Sequence, residues 1–268
     1  MRILIIGGGN MGQTFARSFL STHIVRPEHL IILEKSPEKA QELEGQKLGT
    51  LFGEPGSYIQ GADLIILAVK PQDFGKLAES IRDYIDKQQV VLSIMAGVKM
   101  KTIYDQLGTA KIVRAMPNLP AQLGNGMTVF TSTAEVSRIE LVMVQNLINA
   151  TGKAIYVENE EKIDAATAIS GSGPAYVFYF MQGLIEAAQQ MGFSQAEAEL
   201  LAYQTFKGAV DLFNQNEYSC EEWIAKVMSK GGTTEAAFKE FDKQNTKSGF
   251  IEGVNAALAR ATELSKNL

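Results

Sequence analysis

The sequence predicts an α/β N-terminal domain, built on a parallel sheet with helices on both faces, and an all-α C-terminal domain. In the first half of the chain, short apolar runs alternate with helical stretches, which is typical of a parallel sheet covered on both sides. A glycine-rich turn directly follows the first apolar run. After about residue 160, strand-like alternation nearly disappears and helical periodicity dominates. We therefore predict two domains, residues 1–159 and 160–268.

Six short, largely apolar runs rich in β-branched residues are predicted to be strands. All but the last are followed or preceded by a helical stretch. The predicted strands span residues 2–6, 30–33, 64–68, 90–94, 111–115 and 126–130.

Helix starts are marked by capping residues. Ser36 stands before Pro37, which places a capping hydroxyl ahead of a proline at the first helical position. An S-x-x-E pattern that begins at Ser132, Ser194 or Ser219 predicts a capping box at each position. The first of these boxes would open a helix that runs to about residue 150.

The helix after Pro174 is apolar on nearly every side over residues 176–181. A helix of this kind must be buried all around, and a domain of about 110 residues has little core to bury it alone. We expect it to lie in a dimer interface. The alternative is the central helix of a single bundle.

Composition excludes several classes of protein. The 268 residues are 46% hydrophobic and 21% charged, with a mean hydropathy of −0.02, which excludes a disordered or disulfide-scaffold chain. The 30 acidic and 25 basic residues give a net charge of −5, so we expect no nucleic-acid or membrane partner. The single cysteine, Cys220, can form no disulfide within the chain. No apolar run approaches the ~20 residues of a membrane span, and we expect a cytoplasmic protein.

The strongest local motif matches G-x-G-x-x-G between the first strand and a helix predicted over residues 13–20. In that context Gly7 makes the tight turn, Gly9 lets the backbone approach a pyrophosphate, and Gly12 allows close packing of helix and strand. The helix N-terminus then faces the phosphates. Gln13 stands where a Walker A loop carries lysine, which argues against an NTPase. The alternative is a glycine-rich turn that binds no ligand. The cofactor-binding residues predicted from this motif are Gly7, Gly9, Asn10, Met11 and Gly12.

The residues after the second strand bear on the choice of nicotinamide cofactor. Glu34 lies 22 residues after Gly12, where an acidic residue usually binds the adenosine ribose of NAD. Lys35, Ser36 and Lys39 follow and are candidates to bind the 2′-phosphate of NADP. The alternative is an ordinary solvated helix start, so the preference stays open.

Further candidates lie at a strand end and in two loops. Ala68, Val69, Lys70 and Pro71 end the strand at 64–68, at the carboxyl edge where α/β sheets bind ligands. Residues 170–174 and 229–234 combine glycines with hydroxyl side chains before helices. Such loops suit a carboxylate, although each alone is more often a helix cap. The two histidines have no neighbours at metal-ligand spacing, and we predict no metal site.

Taken together, these segments resemble pyrroline-5-carboxylate reductases over nearly the whole chain. The resemblance implies an N-terminal Rossmann domain and a helical C-terminal domain that interlocks with its dimer mate. It implies reduction of 1-pyrroline-5-carboxylate to L-proline, the last step of proline biosynthesis, by NADPH or NADH, with NADPH slightly favoured. A decamer of dimers stays open. The resemblance rests on residues 6–12, 67–72, 93–97, 113–120, 169–176 and 229–234.

The resemblance also implies roles for individual residues. The nicotinamide would lie near Ala96 and Asn118, and the hydroxyl of Thr234 would be the catalytic hydrogen-bond donor to the ring nitrogen. The substrate carboxylate would lie on backbone amides of the loop at 229–234. The predicted substrate-binding residues are Ser172, Ser229, Gly231, Gly232, Thr233 and Thr234.

Three departures from the family pattern and two alternatives stand beside this interpretation. Glu34-Lys35 replaces a small or amide residue followed by arginine, Met228 replaces a small hydroxyl residue, and Lys230 replaces proline. A β-hydroxyacid dehydrogenase would share the plan but depends on a K-x-x-N motif, which this chain lacks. A non-catalytic NAD(P)-sensing protein would need the glycine motif but not the loop at 229–234.

Overall fold

The computed structural model describes residues 1–215 and 217–266. Over these residues, eight strands form one sheet in the order β3-β2-β1-β4-β5-β6-β7-β8. The strands are β1 (Ile3–Ile6), β2 (Leu30–Leu33), β3 (Thr50–Phe52), β4 (Leu64–Leu67), β5 (Val90–Ser93), β6 (Ile112–Met116), β7 (Gly126–Ser132) and β8 (Gly152–Tyr156).

All the neighbouring strands pair in parallel except β6 and β7, which are antiparallel. The prediction of a parallel sheet is therefore confirmed with one exception. The link between β6 and β7 contains only the short 3-10 helix Leu119–Leu123, and a parallel crossover needs a dozen or more residues. The predicted strands all appear, whereas β3 and β8 were not predicted.

Helices cover both faces of the sheet, and most of the described chain after β8 is helical. A π-helical turn, Thr167–Gly171, lies between the sixth and seventh α-helices. The helices are α1 (Asn10–Ser21), α2 (Pro37–Gln46), α3 (Phe74–Ile81), α4 (Met100–Leu107), α5 (Arg138–Asn149), α6 (Glu161–Ala166), α7 (Gly173–Gln190), α8 (Gln195–Gln215), α9 (Cys220–Val227), α10 (Thr233–Lys243) and α11 (Thr246–Lys266).

The hydrophobic core lies on both faces of the sheet. Along β1, Ile3 and Ile5 belong to a buried cluster with residues of α1, α2 and α5, whereas Leu4 and Ile6 belong to a second cluster with residues of α3 and α4. Successive side chains of a strand point to opposite faces. A strand covered on both sides is therefore apolar at every position, which explains why such runs predict it well.

Most of the predicted helix caps are confirmed. The Ser36 hydroxyl accepts the Lys39 N–H ahead of α2, and capping boxes at Ser194 and Ser219 open α8 and α9. The box predicted at Ser132 is wrong, because Ser132 ends β7 and the Thr133 N–H still donates to β6 at the Ile112 carbonyl oxygen.

The capping box of α5 begins five residues later than predicted, at Ser137 and Glu140. Burial raises the pKa of Glu140, but hydrogen bonds from Lys111 and Ser137 outweigh that effect and hold the pKa below its ordinary value. The Lys111 ammonium lies 2.8 Å from the Glu140 carboxylate. This contact joins the start of α5 to the residue before β6.

A buried ionic cluster fastens two helices to the sheet. Arg114 of β6 is 1% exposed, and its guanidinium lies 3.0 Å from the Glu160 carboxylate and 2.6 Å from the Asp164 carboxylate. The Ser265 hydroxyl donates to the same Asp164 oxygen at 2.9 Å. The cluster therefore holds α6 and the end of α11 against β6.

By internal contacts the described chain divides into two units. The first contains residues 1–172 and the chain from Ala257 onward, and the second is Gly173–Ala256. The functional boundary after residue 159 stays a prediction. Within the described residues, no helix is both long enough and apolar enough to cross a membrane.

In the second unit, α7 keeps much of its apolar surface exposed. Val177, Phe178, Tyr179 and Phe180 are between 40% and 73% exposed in the single chain. The alternative of a central helix in a single bundle is therefore wrong. The exposed aromatic surface agrees with a helix that a second chain covers.

Candidate cofactor and active site

A cavity of about 990 Å³ lies at the carboxyl ends of β1 and β4. The strand order reverses between these strands, and open α/β sheets bind their ligands at such a point. The whole lining comes from the first unit. Of the predicted cofactor-binding residues, the cavity brings together Gly7, Gly9, Asn10, Met11, Glu34, Lys35, Ala68, Val69 and Lys70.

Glycine occupies the three positions of the motif for different physical reasons. Gly7 has φ +107°, and a Cβ there would lie 2.7 Å from the Ala68 carbonyl oxygen. A Cβ on Gly12 would overlap the Gly7 carbonyl oxygen. Both positions are therefore set by the protein's own packing, and Gly12 lies behind the cavity wall.

Gly9 is different, because apart from its chain neighbours no atom of the described residues lies within 4 Å of a Cβ built on it. Its backbone (φ −72°, ψ −177°) is open to any residue. The next residue begins α1, which has no side-chain cap and no acidic residue in its first turn. The first turn of α1 therefore carries no anion of its own at the positive end of the helix dipole, and these residues fit a pyrophosphate.

Gln13 confirms that the loop is not built like a Walker A loop. Its side-chain amide donates to the Gly8 carbonyl oxygen at 2.9 Å, and its Oε1 accepts from Arg17 at 2.7 Å. The side chain is buried against the loop. It braces the glycine turn and carries no charge toward a phosphate.

Glu34 is 6% exposed and uses both carboxylate oxygens inside the loop. Oε2 accepts the Gly8 N–H at 2.7 Å and Oε1 accepts the Ser36 N–H at 2.8 Å. Lys35 is exposed, and its ammonium lies 3.6 Å from the Asp73 carboxylate. Ser36 caps α2 and does not line the cavity.

Pro71, Ala96 and Asn118 lie outside the cavity lining. Ala96 and Asn118 follow β5 and β6, whose carboxyl ends share one edge with β4. The Asn118 side-chain amide donates to the Ser170 carbonyl oxygen at 3.0 Å, and its Oδ1 accepts the Met127 N–H at 2.8 Å. Asn118 therefore braces the π-helical turn that precedes Ser172; its contact with a cofactor stays a prediction.

The loop at 229–234 lies in the second unit. The Gly232 N–H donates to the Ser229 carbonyl oxygen at 2.9 Å, and Gly232 is the N-terminal cap of α10 without a side-chain bond. The loop therefore caps α10 through the backbone of Gly232, and Thr234, which lies inside the helix, does not cap it. The Gly231 N–H donates to the Glu235 carboxylate at 2.6 Å, a contact that was not predicted.

Several cavity residues were not predicted. The segment after β3 lines the cavity, but β3 has only three residues and too weak a pattern to predict. Tyr58 shapes this segment by stacking on Phe52 and donating to the Glu54 carbonyl oxygen at 2.8 Å. Burial, with a smaller effect of the Glu54 carboxylate, raises the pKa of Tyr58 to about 12. The unpredicted lining includes Gly8, Gln13, Arg17, Glu42, Gly53, Glu54, Pro55, Asp73, Lys76, Leu77 and Ser80.

Comparison with known proteins decides the family. The pyrroline-5-carboxylate reductase 2 of Bacillus subtilis is 32% identical over 99% of this chain and 95% of its own length. The chain belongs to the pyrroline-5-carboxylate reductase family. The family model for pyrroline-5-carboxylate reductase dimerisation matches residues 160–264, and a model for coenzyme F420-dependent NADP oxidoreductases matches residues 2–97.

Two solved structures of reductases share the whole fold. The pyrroline-5-carboxylate reductase of Coxiella burnetii has a TM-score of 0.89 at 34% identity and covers 98% of both chains. The pyrroline carboxylate reductase of Plasmodium falciparum, solved with NADP bound, has a TM-score of 0.89 at 26% identity and covers 99% of this chain. These matches favour the reductase over the hydroxyacid-dehydrogenase and sensor alternatives. Among residues 1–215 and 217–266, no group of three potential ligands is placed to hold a metal ion.

Proposed function

We propose that this reductase transfers a hydride from NAD(P)H to 1-pyrroline-5-carboxylate and releases L-proline. The observation that carries the proposal is the open space at Gly9, in a chain that matches named reductases over its full length. NAD(P)H supplies the hydride when it is bound. The hydride adds to the imine carbon and a proton to the ring nitrogen, so the reaction needs no nucleophile of the protein.

The residues of the first unit position the cofactor in this proposal. Gly9 and the first turn of α1 bind the pyrophosphate, and Glu34 binds the adenosine ribose. The residues after β4 (Ala68, Val69) line the cavity, and the nicotinamide of a bound cofactor would lie toward Ala96 and Asn118. Positioning of this kind supplies most of the rate, because it converts a bimolecular step into an intramolecular one.

The residues around Ser172 and the loop at 229–234 bind the substrate in this proposal. Backbone amides of Gly231, Gly232 and Thr233 would receive the carboxylate. The Glu235 carboxylate already accepts the Gly231 N–H, so a bound substrate carboxylate competes with it. The Thr234 hydroxyl, which makes no hydrogen bond within the described residues of its unit, donates to the ring nitrogen.

The test is Thr234→Val, which keeps the shape of the side chain and removes its hydroxyl. A hydrogen bond that strengthens in the transition state is worth ~1.5–3 kcal/mol, so kcat/KM should fall about ten- to a hundredfold. Thr234→Ser keeps the donor and should lose much less. Because Thr234 does not cap α10, Tm should stay unchanged in both variants; a Val variant as active as wild type would remove the catalytic assignment.

Self-association follows from the matched dimerisation domain. We propose a dimer that buries α7 between two chains, and a decamer of dimers as the higher assembly. The exposed aromatic side chains of α7 support the first proposal. We propose that the chain binds small molecules and a second copy of itself, and that it binds neither nucleic acid nor membranes, which the excess of acidic residues supports. We also propose a cytoplasmic location.

A further inference from the structure

We infer that this enzyme binds NADH in preference to NADPH, and that Glu34 and Asp73 together set the preference. The inference rests on the proposed function, since it concerns the cofactor of the same reaction. It departs from the slight preference for NADPH that the family resemblance implies. It depends on contacts at the adenosine end of the cavity.

The Glu34 carboxylate occupies the two backbone donors beside it. The amides of Gly8 and Ser36 point at the Glu34 carboxylate at 2.7 and 2.8 Å. A 2′-phosphate is an acceptor and needs such donors, but the protein's own carboxylate already uses them. A Cβ built on Gly8 would overlap Leu43 and lie 3.1 Å from a Glu34 carboxylate oxygen, so protein side chains already fill this side of the loop.

Glu34 can still accept further hydrogen bonds from a ligand. An ionised carboxylate offers about four lone-pair positions, and two of those of Glu34 are used. The others suit ribose hydroxyls, which donate hydrogen bonds. A 2′-phosphate carries a charge of about −1.5 to −2 and offers only acceptors, and beside a carboxylate that is 6% exposed its repulsion is poorly screened.

Lys35, the cation that follows Glu34 in the sequence, already faces a carboxylate. The Lys35 ammonium, which would attract a 2′-phosphate, lies 3.6 Å from Asp73, a residue that also lines the cavity. The two side chains are 78% and 41% exposed, so the pair is weak. Asp73 therefore lowers the attraction of Lys35 for a phosphate without cancelling it. Lys39 also lines the cavity, so NADPH binding is weakened and not abolished.

The test measures dissociation constants of NADH and NADPH on the full-length protein by calorimetry, with no imine present. Wild type should bind NADH at least about tenfold more tightly, a difference of about 1.4 kcal/mol. Glu34→Gln should reduce that ratio by about tenfold or more. Asp73→Asn should tighten NADPH alone, by about two- to threefold. Glu42→Gln, which removes one negative charge from the same cavity, should change the ratio less than about twofold.

Wild-type protein that binds NADPH as tightly as NADH, or more tightly, would overturn the inference. So would a Glu34→Gln variant with an unchanged Tm and an unchanged ratio. If that variant fails to fold, the wild-type ratio and Asp73→Asn decide the matter. Because no imine is present, the result is independent of whether the protein reduces 1-pyrroline-5-carboxylate.

Discussion

Gly9→Ala adds a single methyl group at the place where the account puts the cofactor pyrophosphate. The space beside Gly9 is open, since apart from its chain neighbours no atom of the described residues lies within 4 Å of the new Cβ. The backbone angles of residue 9 also suit alanine. Replacing glycine stabilises a chain by ~0.4–1 kcal/mol through its unfolded state, while alanine is a poorer helix cap by a similar amount. The free energy of unfolding should therefore change by less than about 1 kcal/mol.

Cofactor binding should respond quite differently to the same methyl group. Forcing an extra methyl into a filled site costs ~1–3 kcal/mol, which raises the dissociation constant of NADH by about 5- to 150-fold. Calorimetric titration and a Tm measurement on the same sample give both numbers. Gly12→Ala is the matched control, because its methyl overlaps the Gly7 carbonyl oxygen and should lower Tm. A Gly9→Ala variant that binds NADH like wild type would show that the pyrophosphate does not approach Gly9.

Three further predictions concern stability and assembly. Asp164→Asn leaves the buried charge of Arg114 poorly paired and should lower the free energy of unfolding in urea by about 3–5 kcal/mol. Asp105→Asn breaks an exposed ion pair of the same 2.6 Å length and should lower it by less than about 1 kcal/mol. Equal losses in the two variants would show that burial does not strengthen the Arg114 pair. The lowered pKa of Glu140 contributes stability above its ordinary value of 4.5 that is lost as the pH falls through the folded value. The advantage of wild type over Glu140→Gln should therefore shrink below about pH 4.5, and a pH-independent difference would contradict it. Phe178→Glu should abolish the dimer in light scattering, because it places an unpaired charge in a covered apolar surface, and an unchanged mass would exclude α7 from the interface.

Features that depend on residues close together in the sequence were predictable from sequence patterns. The buried strands were recognisable because burial on both faces makes every position of Ile3–Ile6 or Leu64–Leu67 apolar. The glycine motif was recognisable because the positive φ of Gly7 and the close approach of Gly12 to the Gly7 carbonyl oxygen both arise within the turn itself. The half-exposed edge strand Gly152–Tyr156 offers no such run, and it was missed.

Contacts between distant residues were beyond prediction. The S-x-x-E pattern occurs at both Ser132 and Ser137, and only the pairing of β7 with β6 decides between them. The bond of the Asn118 side chain to Ser170 spans 52 residues, and the pairing of Lys35 with Asp73 joins the segments that follow β2 and β4. Such contacts decide whether a polar side chain is free for a ligand, and they require the folded chain.

The most direct test of the account is to incubate the purified protein with 1-pyrroline-5-carboxylate and either NADH or NADPH, and to measure L-proline together with oxidised cofactor. We expect L-proline and oxidised cofactor to appear in equal amounts, because each hydride lost from the cofactor reduces one imine. Both cofactors should support turnover, with NADH giving the higher kcat/KM. Cofactor binding without L-proline would contradict the reductase assignment and would favour a protein that only senses NAD(P)H.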